Sequence, residues 1–188
     1  MLVSASGSQG AGKTTVLSKL ADKYKIIERK TSRSILSDWG VTLSQVNNDR
    51  SLTVQFQEEI LKRKLNDDTR DPFRIYLTER TFADLFVYAL VAIGKDNEYS
   101  DWLDDYYIRC MQAQERYDLV FYFTAGYFAP PKDGVRGTNG HYSKLVDTIL
   151  FNYTTQMIDP KKLIVVDTAN LWERISIVDT MIVTKCKG

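Results

Sequence analysis

Gly7-Ser8-Gln9-Gly10-Ala11-Gly12-Lys13-Thr14 fits the phosphate-binding template G-x-x-x-x-G-K-[S/T] at every fixed position. The template has physical content only between a strand and a helix, and both flanks are legible. Met1 to Ser6 is a short strand-like run, and Thr15 to Leu20 begins a segment with helical spacing. Glycines in such a loop let backbone N–H groups close around phosphate oxygens, with the positive end of the following helix directed at them. The stretch Gly7, Ser8, Gln9, Gly10, Ala11, Gly12, Lys13, Thr14 and Thr15 is therefore expected to bind the phosphates of ATP. Lys13 would reach the β and γ phosphates, and the Thr14 hydroxyl would hold Mg²⁺. The plainer alternative is a flexible Gly/Ser turn that matches by chance, and the strand and helix flanks weigh against it.

The chain around this loop has 188 residues, 44% of them hydrophobic, which is enough for one domain with a full central sheet and covering helices. No apolar run is long enough to span a membrane and no leader precedes the loop, so the expectation is a soluble, cytoplasmic chain with no membrane partner. Lys and Arg number 25 against 24 Asp and Glu, which gives no global electrostatic reason to expect a nucleic-acid-coating protein. Cys110 and Cys186 form no C-x-x-C pair and read as ordinary reduced thiols.

Working outward, Lys25 to Glu28 reads as a second short strand. Arg33 follows it, where open α/β sheets bind ligands; a solvated surface charge is the equal alternative. Asp38 to Asn48 carries Gly40 and paired asparagines and reads as a loop, and Ser51 to Leu65 as a helix. On that helix Gln57 either points into a cleft, where its amide can donate and accept, or lies exposed on a polar face. Phe73 to Thr78 reads as the third strand, ending at Glu79 and Arg80. A carboxylate there can orient Mg²⁺ or take the acceptor's proton, and Arg80 can hold an anionic group. The helix Thr81 to Ile93 places Asp84 and Tyr88 four apart on one face, either as scaffold or lining an acceptor pocket.

Trp102 to Arg116 is the next helix and Tyr117 to Phe123 a fourth strand. The excursion from Gly126, with Pro130, Pro131 and Gly134-Val135-Arg136-Gly137, reads as a mobile lid over about 126–142 that brings Arg136 to developing charge. An inert surface loop is the alternative. His141 beside it reads as a solvated or capping residue. Lys144 to Tyr153 is a helix, Leu163 to Asp167 a fifth strand with an apolar core, and Leu171 to Val183 the last helix. Strands and helices alternate five times. The expected architecture is α/β, a five-stranded parallel sheet with helices on both faces and a lid loop, all within one domain spanning 1–188.

The set Gly7 to Thr14, Thr31-Ser32-Arg33, Phe56-Gln57, Thr78-Glu79-Arg80-Thr81 with Asp84 and Tyr88, and Asp133-Gly134-Val135-Arg136 resembles the P-loop nucleoside and nucleotide kinases. The likeness runs to the branch with phage deoxynucleoside monophosphate kinases, phage kinases acting on 5-hydroxymethyluracil in DNA, and the nicotinamide riboside kinase domain. It implies ATP and Mg²⁺ as cofactors and a nucleotide or nucleoside acceptor, with DNA as partner if the acceptor is a base. It also implies Glu79 as the catalytic or Mg²⁺-orienting carboxylate, Arg136 as the lid arginine, and Arg33, Gln57 and Arg80 toward the acceptor. With Lys13 and Arg80 among the catalytic residues, Thr14 and Glu79 at the metal, and Asp84 and Tyr88 from their helix face, these are the expected site residues. The chain departs from the pattern twice. Relatives often carry an acid shortly after the second strand, where Arg29 and Lys30 follow Glu28 here, and many have Asp-Arg where Glu79-Arg80 stands. Two cations after that strand suit a phosphate-bearing acceptor, so a deoxynucleoside monophosphate is favoured over 5-hydroxymethyluracil in DNA and over nicotinamide riboside. An NTP-binding switch or ATPase is the alternative of another class; no Asn-Lys-x-Asp motif supports a GTPase. Oligomeric state stays open.

Overall fold

The computed structural model describes residues 1–27, 32–68, 73–128 and 140–187. The chain begins with β1 (Leu2–Ser6), α1 (Lys13–Lys19), β2 (Lys25–Ile26), α2 (Ser32–Trp39), α3 (Leu43–Asn48) and α4 (Arg50–Asp67). It continues through β3 (Tyr76–Glu79), α5 (Phe82–Ile93), α6 (Ser100–Gln114), β4 (Leu119–Phe123), α7 (Gly140–Met157), β5 (Leu163–Val166) and α8 (Leu171–Lys187).

Among the described residues the five strands form one parallel sheet in the order β2-β3-β1-β4-β5. The period-two alternation of the strands decides which residues meet which helices. Leu2, Val120 and Tyr122 face the layer of α4, α5, α6 and α7, where Phe56, Leu61, Phe86, Tyr106, Cys110 and Leu150 are buried. Val3, Ala5, Leu119, Phe121 and Phe123 face the other layer, against Val16, Leu17 and Leu20 of α1 and Val178 and Ile182 of α8. Helices thus cover both faces, as the alternating pattern requires.

β1 is central, and the chain crosses it in both directions: α1 carries it to the β2 side, and later it returns past β1 to β4. The ends of β1, β3 and β4 therefore frame the crevice where such sheets bind ligands. Registry sets the neighbours there, pairing Ala5 with Glu79 and Ser6 with Tyr122.

Several boundaries differ from the sequence expectation. The loop expected over Asp38 to Asn48 holds the end of α2 and all of α3, because Thr42 and Gln45 form a reciprocal capping box and Val46 is buried. The third strand starts at Tyr76 rather than Phe73: its ladder with β1 opens where the Tyr76 N–H donates to the Met1 carbonyl, and Phe73 is 93% exposed. The helix expected from Lys144 begins at Gly140, so residues 140–142 of the expected lid form the first turn of α7. β5, expected as a strand with an apolar core, is an edge strand with Val165 exposed. Residues 129–139 of the expected lid, with Arg136, lie outside the described residues, as do Glu28, Arg29 and Lys30.

Candidate active site

The loop between β1 and α1 needs its glycines for conformational reasons that can be named. Gly7 (φ 132°), Gly10 (φ 78°) and Gly12 (φ 84°) all occupy the positive-φ region that side chains disfavour. At Gly7 a Cβ would also stand 2.5 Å from the Phe123 carbonyl oxygen, so β4 leaves no room for one. Gly12 caps α1, and a Cβ on it would meet the Arg174 guanidinium at 3.0 Å and the Phe128 ring at 3.3 Å.

Lys13 is buried, and its ammonium donates to the carbonyls of Gly7 and Ser8, both at 2.8 Å. The side chain thus folds over its own loop. Gln9, Thr14 and Thr15 are exposed at the loop's outer surface, Gly10 is half-buried, and Ala11 is buried. The Ser8 hydroxyl is buried with no hydrogen-bond partner.

The end of β3 is wired to this loop through Arg80. Its backbone N–H donates to the Ala5 carbonyl, and its guanidinium donates to the Gly7 carbonyl and to Asp84 Oδ1, each at 2.9 Å. Its other face lies over the Tyr88 ring, 4.9 Å from the centroid. Arg80 is the only non-glycine residue with positive φ (66°) among the described residues, and strain of this kind gathers at functional sites.

Asp84 is fully buried, and both of its carboxylate oxygens are engaged. Oδ1 takes Arg80; Oδ2 accepts from the Ser6 hydroxyl at 2.7 Å and from the Thr81 hydroxyl and N–H at 2.7 and 2.9 Å. Burial pushes its pKa up, but the charges of Arg80 and Lys13 and the hydrogen bonds from Thr81 and Ser6 outweigh this and hold it below the ordinary carboxylate range. Of the two readings the sequence left open for Asp84, the described contacts support the scaffold one: it caps α5 and anchors Arg80.

Of the other expected residues, Glu79 is half-buried at the end of β3 beside Ala5, and Tyr88 is half-buried beneath Arg80. Gln57 is 7% exposed with its side-chain oxygen unpartnered, so the exposed-face alternative is excluded. Arg33 is exposed in the first turn of α2, and His141 is exposed in the first turn of α7. The structure therefore joins Lys13, Arg80, Asp84 and Tyr88 to the phosphate loop. It leaves Arg33 on the surface.

Arg174 was not singled out by the sequence. Only 1% exposed, it donates to the carbonyls of Ala11 and Thr168 and lies over the rings of Phe123, Tyr127 and Phe128. Burial lowers its pKa against the opposing pull of Tyr127 and Asp167. Four residues into an amphipathic helix, it has the sequence signature of a surface charge. The Tyr122 hydroxyl was missed too; it donates to Asp147 Oδ1 at 3.0 Å and so ties β4 to α7.

Comparison with known proteins places this geometry in context. A family model described as an AAA domain matches residues 2–173. No curated protein matches the sequence. Among solved structures, deoxyadenosine kinase from M. mycoides with bound dATP is similar, with a TM-score of 0.72 at 17% identity, covering 97% of this chain and 99% of that one. The same kinase with products dCMP and dCDP gives 0.70 at 15% identity, covering 98% and 99%. NadR protein in complex with NAD and AMP-PNP gives 0.66 at 15% identity, covering 96% of this chain but 48% of that one. The likeness establishes a shared fold.

Proposed function

The chain belongs to the AAA domain family, and from that membership and the site geometry we propose an ATP- and Mg²⁺-dependent phosphotransferase that moves the γ-phosphoryl group of ATP onto a nucleoside-type acceptor. Residues 1–188 serve as one kinase domain. The observation that carries the reading is the convergence of two cations on one loop carbonyl: Lys13 and Arg80 both donate to Gly7 O, and Asp84 stands behind Arg80. A phosphate loop in isolation needs only Lys13. Tying the end of the neighbouring strand to it adds a second cation at the same loop carbonyl, which supports the reading.

The proposed roles follow from placement. Lys13 exchanges its bonds to Gly7 and Ser8 for phosphate oxygens, and Arg80 and Arg136 offset charge as it develops on the moving phosphoryl group. The Thr14 hydroxyl, which is exposed, and the Glu79 carboxylate, which is half-buried, would hold Mg²⁺. Mg²⁺ is typically bound by one or two protein oxygens with phosphates and water completing six, so these two groups fit it. The ion would supply Lewis-acid charge at the phosphates. Glu79 would take the proton of the attacking hydroxyl, and Arg33, Gln57 and Tyr88 would contact the acceptor. Asp84 acts through Arg80.

For the acceptor, Arg29, Lys30 and Arg33 after β2 favour a deoxynucleoside monophosphate, since three cations match a phosphate-bearing ligand. A free nucleoside is the second reading. It is favoured by the names of the similar structures, a deoxyadenosine kinase and a NadR protein in complex with NR.

The test is a transfer panel with γ-labelled ATP and Mg²⁺ against deoxynucleoside monophosphates, free nucleosides, nicotinamide riboside, and DNA with or without 5-hydroxymethyluracil. Label in a deoxynucleoside diphosphate confirms the favoured acceptor, and label in a monophosphate the second. Label released only as inorganic phosphate, whatever the acceptor, refutes the transferase.

A further inference from the structure

The turn from Glu79 to Asp84 is held by side chains from four different elements. Ser4 Oγ of β1 donates to the Arg80 carbonyl at 2.8 Å, Gln114 of α6 accepts from the Phe82 and Ala83 amides at 3.0 and 3.3 Å, and Asp84 of α5 accepts from the Thr81 amide. The fourth contact differs from these in kind. Lys64 of α4, 0% exposed, donates to the Glu79 carbonyl at 3.3 Å. Its ammonium stands 2.7 Å from Asp68, whose side chain is equally buried, and it lies over the rings of Phe82 and Tyr117 at 5.4 and 5.6 Å. Asp68 in turn accepts from the Thr78 hydroxyl at 3.0 Å and from the Tyr117 hydroxyl at 2.6 Å.

Stability gives no sufficient reason for this pair. Two charges removed from water recover little more than their desolvation cost, and a well-packed apolar pair of the same volume is often as stable or more so. What an apolar pair cannot do is donate to a carbonyl. The carbonyl in question belongs to the peptide that enters Arg80, whose φ of 66° costs free energy unless the surroundings impose it.

We propose that Lys64, held by Asp68, is a positioning residue that fixes the Glu79–Arg80 peptide and so keeps Arg80 in the left-handed conformation from which it reaches Gly7 and Asp84. This rests on the phosphotransferase reading only where turnover is the readout. Lys64 touches no substrate in this scheme, and its influence passes through Arg80.

The test is the double variant Lys64→Met/Asp68→Asn, which removes both charges while leaving Thr78 and Tyr117 a polar partner. Thermal unfolding is expected to stay at or above the wild-type temperature. Amide hydrogen exchange at Arg80, whose N–H is bonded to Ala5, is expected to accelerate about tenfold as the local turn opens. Turnover should fall about tenfold with KM for ATP nearly unchanged, and the fall should vanish in an Arg80→Ala background, the mark of action through that residue. Unchanged exchange at Arg80 together with unchanged turnover overturns the proposal, as does a turnover loss that persists in the Arg80→Ala background. A Lys64→Gln/Asp68→Asn variant, which keeps a donor without charge, should restore slow exchange; if it folds and still exchanges fast at Arg80, the hydrogen bond to Glu79 is not the cause. A wild-type protein that transfers phosphate to no acceptor would refute the kinase reading separately, and the exchange measurement would then decide the role of Lys64 alone.

Discussion

Replacing Asp84 by Asn separates an anchoring role from an acceptor-binding one. In the folded chain one carboxylate oxygen serves three donors, the Ser6 and Thr81 hydroxyls and the Thr81 N–H, and the other serves Arg80. An asparagine keeps its oxygen toward the three donors and turns its amide nitrogen to the guanidinium, so the charge-assisted bond to Arg80 is lost and the rest survives. A hydrogen bond to a charged group is worth about 1.5–3 kcal/mol, and the buried setting puts the cost at about 2–3 kcal/mol. For a chain of this length each kcal/mol moves the unfolding midpoint by about 2–4 °C, so Tm should drop by about 4–12 °C at pH 7. The difference should depend on pH in a definite direction. Asp84 has a folded pKa below its ordinary 3.8, so its stabilisation is complete above that value and is lost as pH falls through the lower folded value. Asn does not titrate, and the gap in Tm between the two proteins should therefore narrow below about pH 4. Calorimetry or circular dichroism across pH reads this directly. Kinetics add the second half: turnover should fall while KM for the acceptor moves little. A Tm within about 2 °C of wild type, with a raised acceptor KM, would return Asp84 to the acceptor pocket and refute the anchoring argument.

Lys13→Ala should abolish phosphoryl transfer, by about a hundredfold or more, with the far-ultraviolet circular dichroism spectrum unchanged; retained activity would remove the phosphate loop from the reaction. Gly7→Ala introduces a Cβ 2.5 Å from a backbone oxygen at φ 132°, and strain and overpacking of about 1–3 kcal/mol each should lower Tm by more than Asp84→Asn does; an unchanged Tm would mean that the β4 end yields freely. Cys186 is exposed, whereas burial pushes the Cys110 thiol up to about 12, so a disulfide reagent at neutral pH should modify one thiol in the native protein and the second only on unfolding. Two equally fast thiols would contradict the packing of α6.

The sheet and its phosphate loop were legible because local rules decide them. Apolar runs of strand length alternate with helical spacing, and the glycines of the loop stand where backbone geometry admits little else. The parts that were not legible depend on contacts remote in sequence. Asp84 and Tyr88 were placed correctly on one helix face, but nothing in the sequence tells that Ser6, 78 residues earlier, takes an Asp84 oxygen. Arg174 and Lys64 look like the solvated face of their helices. Each is buried because it donates to a carbonyl of a distant element, Ala11 and Glu79 respectively, and a carbonyl leaves no trace in a residue pattern. The α3 error has another origin. Asparagines and Gly40 signalled a loop, and the Thr42–Gln45 box with buried Val46 overrode them.

The two cations at Gly7 differ in what holds them, and under the proposed phosphotransfer that difference would divide their parts. Arg80 already has a charge-assisted bond to a fully buried carboxylate, a ring beneath it and a backbone pinned at both ends, so a nucleotide gains little by pulling it away. The bonds that Lys13 makes to Gly7 and Ser8 go to neutral carbonyls, and phosphate oxygens make stronger partners for an ammonium than carbonyls do. In the proposed reaction Lys13 would be the group that changes partners on nucleotide binding, and Arg80 the fixed charge. With Lys13 withdrawn from Gly7 in that scheme, the Arg80 bond to the same carbonyl would keep the first residue of the loop in place. The strained turn after β3 would thus preserve the shape of the loop while its lysine is engaged elsewhere.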